Sequence, residues 1–264
     1  MGTIIKIDAA VSVMRTFFQK KGFVEVYSLP ARNILATCEN LVPIVRYKYQ
    51  GREWHQTGHI ALEHILLDNP EIDGCYTVSD AATPMLEFES MGDMNELINM
   101  KKELLDHVGF EKKNLQSPFH VPFFDYPAGD YLDMMKKYNT KELDHDHMIE
   151  QDYGAVFFLK HFPMHTIPFW NVKNDGNLSS KVDVILHGIK TIESAERSCD
   201  KDDMLSRFLS INGGDYNRLL CNKFGKRVVE KHMDVFLGRD FIPRYGGGIR
   251  VNRMIRAMEM SDLI

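Results

Sequence analysis

Apolar positions recur along the chain with two kinds of spacing, one typical of helices and one typical of strands. Between Ala10 and Phe17 the spacing is helical, with Asp8 as a predicted cap and Gly22 as the stop. Helical spacing also predicts helices at about 57–67, 93–108, 202–209 and 216–237, and near Tyr131. Compact or alternating runs predict strands at 23–27, 75–78, 85–89, 155–159 and 182–186. Their order predicts one α/β (α+β) domain over residues 1–264, with a mixed, mainly antiparallel sheet flanked by helices.

The strand predicted at 85–89 carries two carboxylates. Leu86 and Phe88 fall on one face, and Glu87 and Glu89 fall on the other. The pattern has two interpretations, a pair of functional carboxylates or a solvated strand face.

A glycine run is predicted to open the final helix. Gly246, Gly247 and Gly248 allow close approach to a ligand, and a helix start favours anions. Arg250 and Arg253 lie three apart, so both forked guanidinium groups can address a phosphate. The alternative is an amphipathic terminal helix with its arginines in water.

Composition indicates an ordinary globular protein, with 44% hydrophobic residues, 26% charged residues and a net charge of −5. This charge gives no general attraction to phosphate backbones. The four cysteines have no Cys-x-x-Cys spacing, which argues against a zinc ribbon and favours free thiols in a reducing compartment. We see no signal peptide and no apolar stretch long enough for a membrane span. The expectation is a cytoplasmic protein without membrane partners.

Two further groups of residues could suggest a metal site or a reactive thiol, but we interpret neither of them as functional. Asp144-His-Asp-His147 has metal-binding residue types, but such a charged run is more often a solvated helix start. Cys199 stands beside Arg197 and Asp200 without an identifiable partner, so we interpret it as buried or inert.

Six segments, in order along nearly the whole chain, resemble the catalytic core of class II aminoacyl-tRNA synthetases, above all the aspartyl/asparaginyl branch. FFQKKGFVEVYSLP resembles motif 1, QTGHIALEHILL the helix at the amino-acid pocket, and PMLEFES the second strand of motif 2. VFFLKHFPMHTIPFW looks like the following strand, and VDVILHGIKTIESAER is similar to the ATP- and metal-binding strand. GGGIRVNRMIRAM is similar to motif 3, in which a glycine-rich strand leads into a helix with the phosphate-binding arginine.

The resemblance implies an ATP-dependent ligase that forms an aminoacyl-adenylate of aspartate or asparagine, with ATP and Mg²⁺ as cofactors. By position, catalytic roles are implied for Arg253, Glu87 and Glu89. Nucleotide contacts are implied for Arg253, Arg250, Gly246, Gly247, Gly248 and Glu193. Amino-acid contacts are implied for His59, Gln56 and Arg197, and a metal contact for Glu193. Motif 1 implies a homodimer.

The resemblance to an asparaginyl-tRNA synthetase-like protein also bears on the acceptor of the activated amino acid. No segment resembles an anticodon-binding domain, so tRNA is not the expected acceptor. The stand-alone paralogues that resemble asparagine synthetases suggest ammonia or another amine.

Four departures from the family pattern surround the expected ATP site. The link from Ser79 to Pro84 lacks the motif 2 arginine, and Lys190 stands where the family has a metal-binding glutamate. Arg250 replaces a glycine, and His59 replaces a glutamine. The alternative function is therefore a catalytically impaired pseudo-synthetase that acts as a binding or regulatory dimer.

Overall fold

The computed structural model describes residues 2–27, 34–35, 58–79, 84–110, 126–140, 147–167 and 169–264, and within these it contains one nine-stranded sheet. The strands are β1 (Val24–Glu25), β2 (Gly74–Ser79), β3 (Met85–Met91), β4 (Ala128–Asp130), β5 (Val156–Pro163), β6 (Asn174–Asp175), β7 (Leu178–Leu186), β8 (Ile189–Glu196) and β9 (Arg244–Arg250). Their order is β1-β2-β3-β9-β8-β7-β5-β4, and β6 pairs with β7. Only the β1–β2 and β4–β5 pairs in this described sheet are parallel, which confirms the predicted mainly antiparallel arrangement.

Helices cover both faces of this sheet. They are α1 (Thr3–Lys20), α2 (His59–Asp68), α3 (Met94–Val108), α4 (Tyr131–Tyr138), α5 (His147–Tyr153), α6 (Lys201–Ser210), α7 (Asp215–Phe224), α8 (Lys226–Leu237) and α9 (Val251–Met260). None of the described helices is long and apolar enough to cross a membrane.

The main hydrophobic core lies between one sheet face and helices α1, α3 and α9. Phe18, Leu104 and Met254 from these helices pack with strand residues such as Phe88 and Ile249. Smaller apolar clusters cover parts of the other face, one around Trp170 and α6–α8, one around Phe157, and one under α2. Polar residues occupy the remaining part of that face, in the middle of the sheet.

Local sequence explains the best-defined helix. Asp93 accepts hydrogen bonds from the amides of Asn95 and Glu96, and the Glu96 side chain accepts one from the Asp93 amide at 2.8 Å. This capping box satisfies amides that the first helical turn leaves without partners. Gly109 ends α3 with φ +111°, a conformation that favours glycine.

Three element predictions were wrong in detail. Helix α1 begins at Thr3 with Gly2 as N-cap, so Asp8 lies inside the helix and caps nothing. The helix predicted over 216–237 is two helices, because Gly225 between them has φ +88°. The glycine run lies within β9 rather than at the start of α9.

Candidate functional site

Strand register places the polar residues of four strands on one sheet face. Glu87 lies opposite Gly248, Gly248 lies opposite Glu193, and Glu193 lies opposite Asp183. Two residues further along β3, Glu89 lies opposite Gly246 in the same way. Because directly opposed residues point to the same face, these side chains form one surface, here called the polar floor. It consists of Glu87, Glu89, Asp183, Glu193, Gly246 and Gly248.

Glu87 is fully buried beneath His59. Its Oε2 accepts a hydrogen bond from the Gly58 amide at 2.8 Å, and its Oε1 lies 3.3 Å from His59 Nε2. Burial raises the pKa of Glu87, against the opposing effect of His59 and the Gly58 amide. Glu87 Oε1 and His59 Nδ1 are buried without a hydrogen-bond partner among the described residues. Buried polar atoms of this kind are normally satisfied, so they indicate where a ligand polar group would bind.

Glu89 is fully buried too, but it has a dedicated cation. Arg197 donates to both carboxylate oxygens, from Nε at 3.2 Å and from Nη2. Burial favours the protonated acid, yet the charge and hydrogen bonds of Arg197, together with His59, lower the pKa of Glu89. Both carboxylates are therefore buried, and the interpretation as a solvated strand face was wrong. Arg197, predicted to contact the amino acid, would have to share its fork between Glu89 and a substrate.

The two floor glycines make room for neighbouring side chains at the centre of this surface. A Cβ at Gly246 would overlap the Glu89 carboxylate, and one at Gly248 would lie 2.7 Å from Met85 Cε and 3.5 Å from His59 Nε2. Gly247 faces the other way, and a Cβ there would overlap Ser194. Gly246 and Gly248, which are both buried, thus give space to the Glu89 carboxylate and to the end of Met85 beside His59, while Gly247 permits close packing of β8 and β9.

Cationic side chains gather at the Glu193 end of the polar floor. Arg250 Nη2 lies 2.9 Å from Glu193 Oε1, and Lys190 Nζ lies 3.7 Å from Glu193 Oε2. Burial alone would raise the pKa of Glu193, but Lys181, Lys190 and Arg250 together bring it down to about 2. The interpretation of Lys190 and Glu193 as exposed strand charges was wrong, since their side chains are only 16% and 22% exposed.

Asp183 and Lys181 were missed by the sequence analysis. Asp183 is fully buried, contacts Lys181 through Oδ2, and has an Oδ1 with no hydrogen-bond partner among the described residues. Burial raises the pKa of Asp183 despite the charge of Lys181. Lys181 Nζ also lies 4.0 Å from the centre of the Phe162 ring. An acid amid the apolar residues of VDVIL was the available signal, because a lone carboxylate in a buried strand needs a reason.

The remaining predicted residues divide into those near the floor and those not described. Arg253 Nη1 donates to the Lys190 carbonyl at 2.6 Å, which sets its guanidinium beside the cationic end. Gln56, the 80–83 link and residues 144–146 lie outside the described residues. The flanking register pairs Ser79 with Met85, so the link between β2 and β3 is short, as expected.

A divalent metal fits the floor poorly. Mg²⁺ requires several oxygen ligands in near-octahedral geometry, usually with carboxylates among them. Within the described part of the chain, no group of three or more His, Cys, Asp or Glu residues could hold a metal. Glu193 and Asp183 face ammonium and guanidinium groups instead. The implied metal contact of Glu193 therefore has no supporting ligand set in the described residues.

A cavity of about 530 Å³ adjoins Arg197. Its lining includes Lys173, Glu196, Cys199 and Asp200, and Lys173 Nζ lies 2.7 Å from Glu196. Cys199 is exposed rather than buried, and its Sγ lies 3.9 Å from Arg244 Nη1. Cys75, Cys199 and Cys221 are free thiols, as expected, and Cys38 lies outside the described residues.

Comparison with solved structures identifies the architecture. Asparaginyl-tRNA synthetase from Pyrococcus horikoshii complexed with asparaginyl-adenylate superimposes with a TM-score of 0.67 at 17% identity, covering 97% of this chain and 65% of that one. Aspartyl-tRNA synthetase from Entamoeba histolytica gives a TM-score of 0.64 at 16% identity, covering 96% and 55%. The chain has the fold of the class II aminoacyl-tRNA synthetase catalytic core.

Sequence comparison supports the same branch of the class II fold. The aspartate–tRNA(Asp) ligase of Pyrobaculum aerophilum is 31% identical to this chain over 106 residues. The aligned segment is 40% of this chain and 22% of the ligase. No protein-family model matches the chain. The predicted resemblance to the aspartyl/asparaginyl class II branch is confirmed. This chain spans less than two thirds of the length of these relatives.

Proposed function

We propose that residues 1–264 act as one catalytic domain that activates an amino acid with ATP and forms an aminoacyl-adenylate. The observation that carries the proposal is the division of charge along the polar floor. Buried carboxylates and His59 lie at one end, Arg250, Lys190 and Arg253 at the other, and Gly246 and Gly248 between them. An aminoacyl-adenylate carries groups that complement these features: an ammonium for the carboxylates, a phosphate for the cations and a flat base.

Each end of the floor supports one part of the proposed reaction. Glu87 Oε1, which makes no hydrogen bond among the described residues, is an acceptor for the substrate ammonium, whose positive charge would oppose the effect of burial on the pKa of Glu87. Arg253 and Arg250 offer forked donors to phosphate oxygens. The substrate carboxylate attacks the α-phosphorus, the bond to the bridging oxygen breaks, and pyrophosphate leaves. Catalysis then consists of positioning and charge neutralisation.

The amino acid and its acceptor are narrower parts of the proposal. The Pyrococcus horikoshii structure contains asparaginyl-adenylate, which supports aspartate or asparagine as the amino acid. We propose a small amine as acceptor rather than tRNA, because a net charge of −5 gives no general attraction to a polynucleotide. A homodimer in the cytoplasm is proposed from the motif 1 resemblance and the free thiols.

A second candidate function is a binding or regulatory dimer that has lost catalysis. The ion pair between Arg250 and Glu193 favours it, since the pair lies across the floor where a nucleotide would bind. The link between Ser79 and Pro84 also offers no arginine to the α-phosphate. Under this proposal the floor binds a ligand but does not convert it.

Exchange of labelled pyrophosphate into ATP separates the two candidates. The assay is run with each amino acid in turn, on the wild type and on Arg253→Ala. We expect exchange with aspartate or asparagine alone, and its loss in the variant. An absence of exchange with every amino acid, on protein that binds ATP by calorimetry, would leave only the binding role.

A further inference from the structure

The two carboxylates at the phosphate end of the polar floor already have cationic partners within the chain. Glu193 faces Arg250 at 2.9 Å and Lys190 at 3.7 Å. Asp183 contacts Lys181 through one oxygen. These are the oxygen donors that a metal between β7 and β8 would need, because Asp183 and Glu193 lie directly opposite each other.

A charge count at this end gives an excess of positive charge. Lys181, Lys190, Arg250 and Arg253 contribute four positive charges, and Asp183 and Glu193 contribute two negative ones. The pKa of Glu193, brought down to about 2 by these cations against the effect of burial, agrees with this count. Like charges this close together repel each other, and the repulsion of each cation doubles when the approaching ion is divalent. A metal would therefore have to displace a lysine or an arginine before it could bind.

Phosphate oxygens meet no such obstacle. An ATP triphosphate brings only negative charge, and guanidinium groups bind phosphate with paired hydrogen bonds. Arg250 is placed for this role, since its side chain is 39% exposed while its Nε is buried without a hydrogen-bond partner among the described residues. Turning from Glu193 to a phosphate would exchange one anionic partner for another.

We propose that Lys181, Lys190 and Arg250 take the place of a divalent cation, so that the floor binds the triphosphate of ATP without Mg²⁺. This inference rests on the proposed function for the identity of its ligand. It differs from the expectation drawn from the family resemblance, in which ATP and Mg²⁺ bind together. Lys190 is the central residue, because it approaches Glu193 and its charge also acts on Asp183.

Titration calorimetry with ATP tests this inference, in buffer with EDTA and in buffer with Mg²⁺. Wild type is compared with Lys190→Glu, which would place a third carboxylate beside Asp183 and Glu193. Lys226→Glu is the matched control, since this lysine is 79% exposed on α8. We expect wild type and the control to bind ATP in EDTA within about twofold of their affinity in Mg²⁺. Lys190→Glu should lose at least about tenfold in EDTA and recover with Mg²⁺.

The outcomes separate this inference from the proposed function. Wild-type binding that requires Mg²⁺ would overturn the inference and leave ATP as the ligand. No binding of ATP by folded wild type in either buffer would overturn both. Unchanged affinity of Lys190→Glu in EDTA would show that the cluster does not contact phosphate. If circular dichroism shows that Lys190→Glu does not fold, Lys190→Met replaces it. We expect Lys190→Met to lose ATP affinity by the same factor in both buffers.

Discussion

At the residue scale, we expect alanine substitutions at Gly246 and Gly248 to have different effects, although the two residues lie only two positions apart on β9. A Cβ at Gly248 meets the mobile end of Met85, so Gly248→Ala should fold normally while narrowing the floor beside His59. A Cβ at Gly246 would overlap the buried Glu89 carboxylate, which is held by Arg197. Gly246→Ala should therefore lose about 1–3 kcal/mol of unfolding free energy, as overpacked cores do.

Urea denaturation and ATP calorimetry distinguish the two glycine variants. Gly248→Ala should keep wild-type stability and lose at least about tenfold in ATP affinity. Wild-type ATP affinity in Gly248→Ala would mean that the ligand does not lie over β9. Wild-type stability of Gly246→Ala would mean that Glu89 and Arg197 rearrange at little cost.

His64 provides a pH-dependence prediction at the same scale. Burial, and secondarily the Arg239 guanidinium, lower the pKa of His64 from 6.5 to about 4. Arg239 Nε donates to His64 Nδ1 at 2.6 Å, a bond that requires neutral imidazole. Between pH 6.5 and about 4 the unfolded chain takes up this proton and the folded chain does not. The free energy of unfolding should fall over this range, by on the order of 2–3 kcal/mol from His64.

His64→Asn isolates this contribution, because its amide oxygen can accept the same bond without titrating. Urea denaturation of both proteins at pH 7 and pH 4.5 gives the comparison. The variant should lose less stability than wild type over that interval. Equal losses would assign the pH dependence to other groups.

Side-chain environments were the least predictable feature at this scale. The alternation of Leu86 and Phe88 with Glu87 and Glu89 correctly assigned the two faces of β3. It could not show that the acidic face is buried, since α2 and Arg197 come from distant parts of the chain. Asp183 was missed for the same reason. Asp183 belongs to the polar floor because it lies opposite Glu193 on the neighbouring strand, and the sequence alone does not give that pairing.

At the element scale, His187 joins three elements that are distant in sequence. It lies in the turn between β7 and β8, with Nδ1 2.6 Å from Glu150 Oε1 on α5 and Nε2 2.7 Å from Ser261 Oγ after α9. The order of groups is that of a serine hydrolase triad. However, the amides of Ser261, Asp262 and Leu263 all bond to carbonyls of α9, and Ser261 is 2% exposed. These amides cannot form an oxyanion hole.

We therefore expect His187 to contribute to stability and not to nucleophilic catalysis. His187→Ala should lower the free energy of unfolding by about 1–3 kcal/mol, because it leaves the buried Ser261 hydroxyl without its partner. Denaturation midpoints measure this effect. Labelling of wild-type Ser261 by a fluorophosphonate would contradict the structural role.

Element boundaries were predictable where local chemistry decides them. Asp93, Glu96 and Gly109 carry the signals that begin and end α3, and the sequence prediction of that helix was confirmed. The division of α7 from α8 at Gly225 was missed, because the apolar spacing continues across the break. The glycines of β9 were placed in the wrong element by local reasoning. The family resemblance assigned them correctly to a strand.

At the scale of the whole molecule, we expect the proposed dimer to form at the sheet edge at β1. Among the described residues β1 ends the sheet order, and Val24 in β1 and Tyr27 just after it are 46% and 85% exposed. An open strand edge with apolar side chains is a site for pairing with another chain. Val24→Asp should shift the protein from dimer to monomer in analytical ultracentrifugation. Leu209→Asp, at an exposed apolar residue on α6, is the matched control and should remain dimeric.

The central claim, that one polar floor binds both halves of an aminoacyl-adenylate, is tested most directly with a stable analogue. Titration calorimetry with aspartyl- and asparaginyl-sulfamoyl adenosine, on wild type and Gly248→Ala, measures that binding without turnover. The predicted result is that one analogue binds wild type at least about 100-fold more tightly than its free amino acid, with most of that gain lost in Gly248→Ala. No binding of either analogue to folded wild type, or equal binding to both proteins, would contradict the claim.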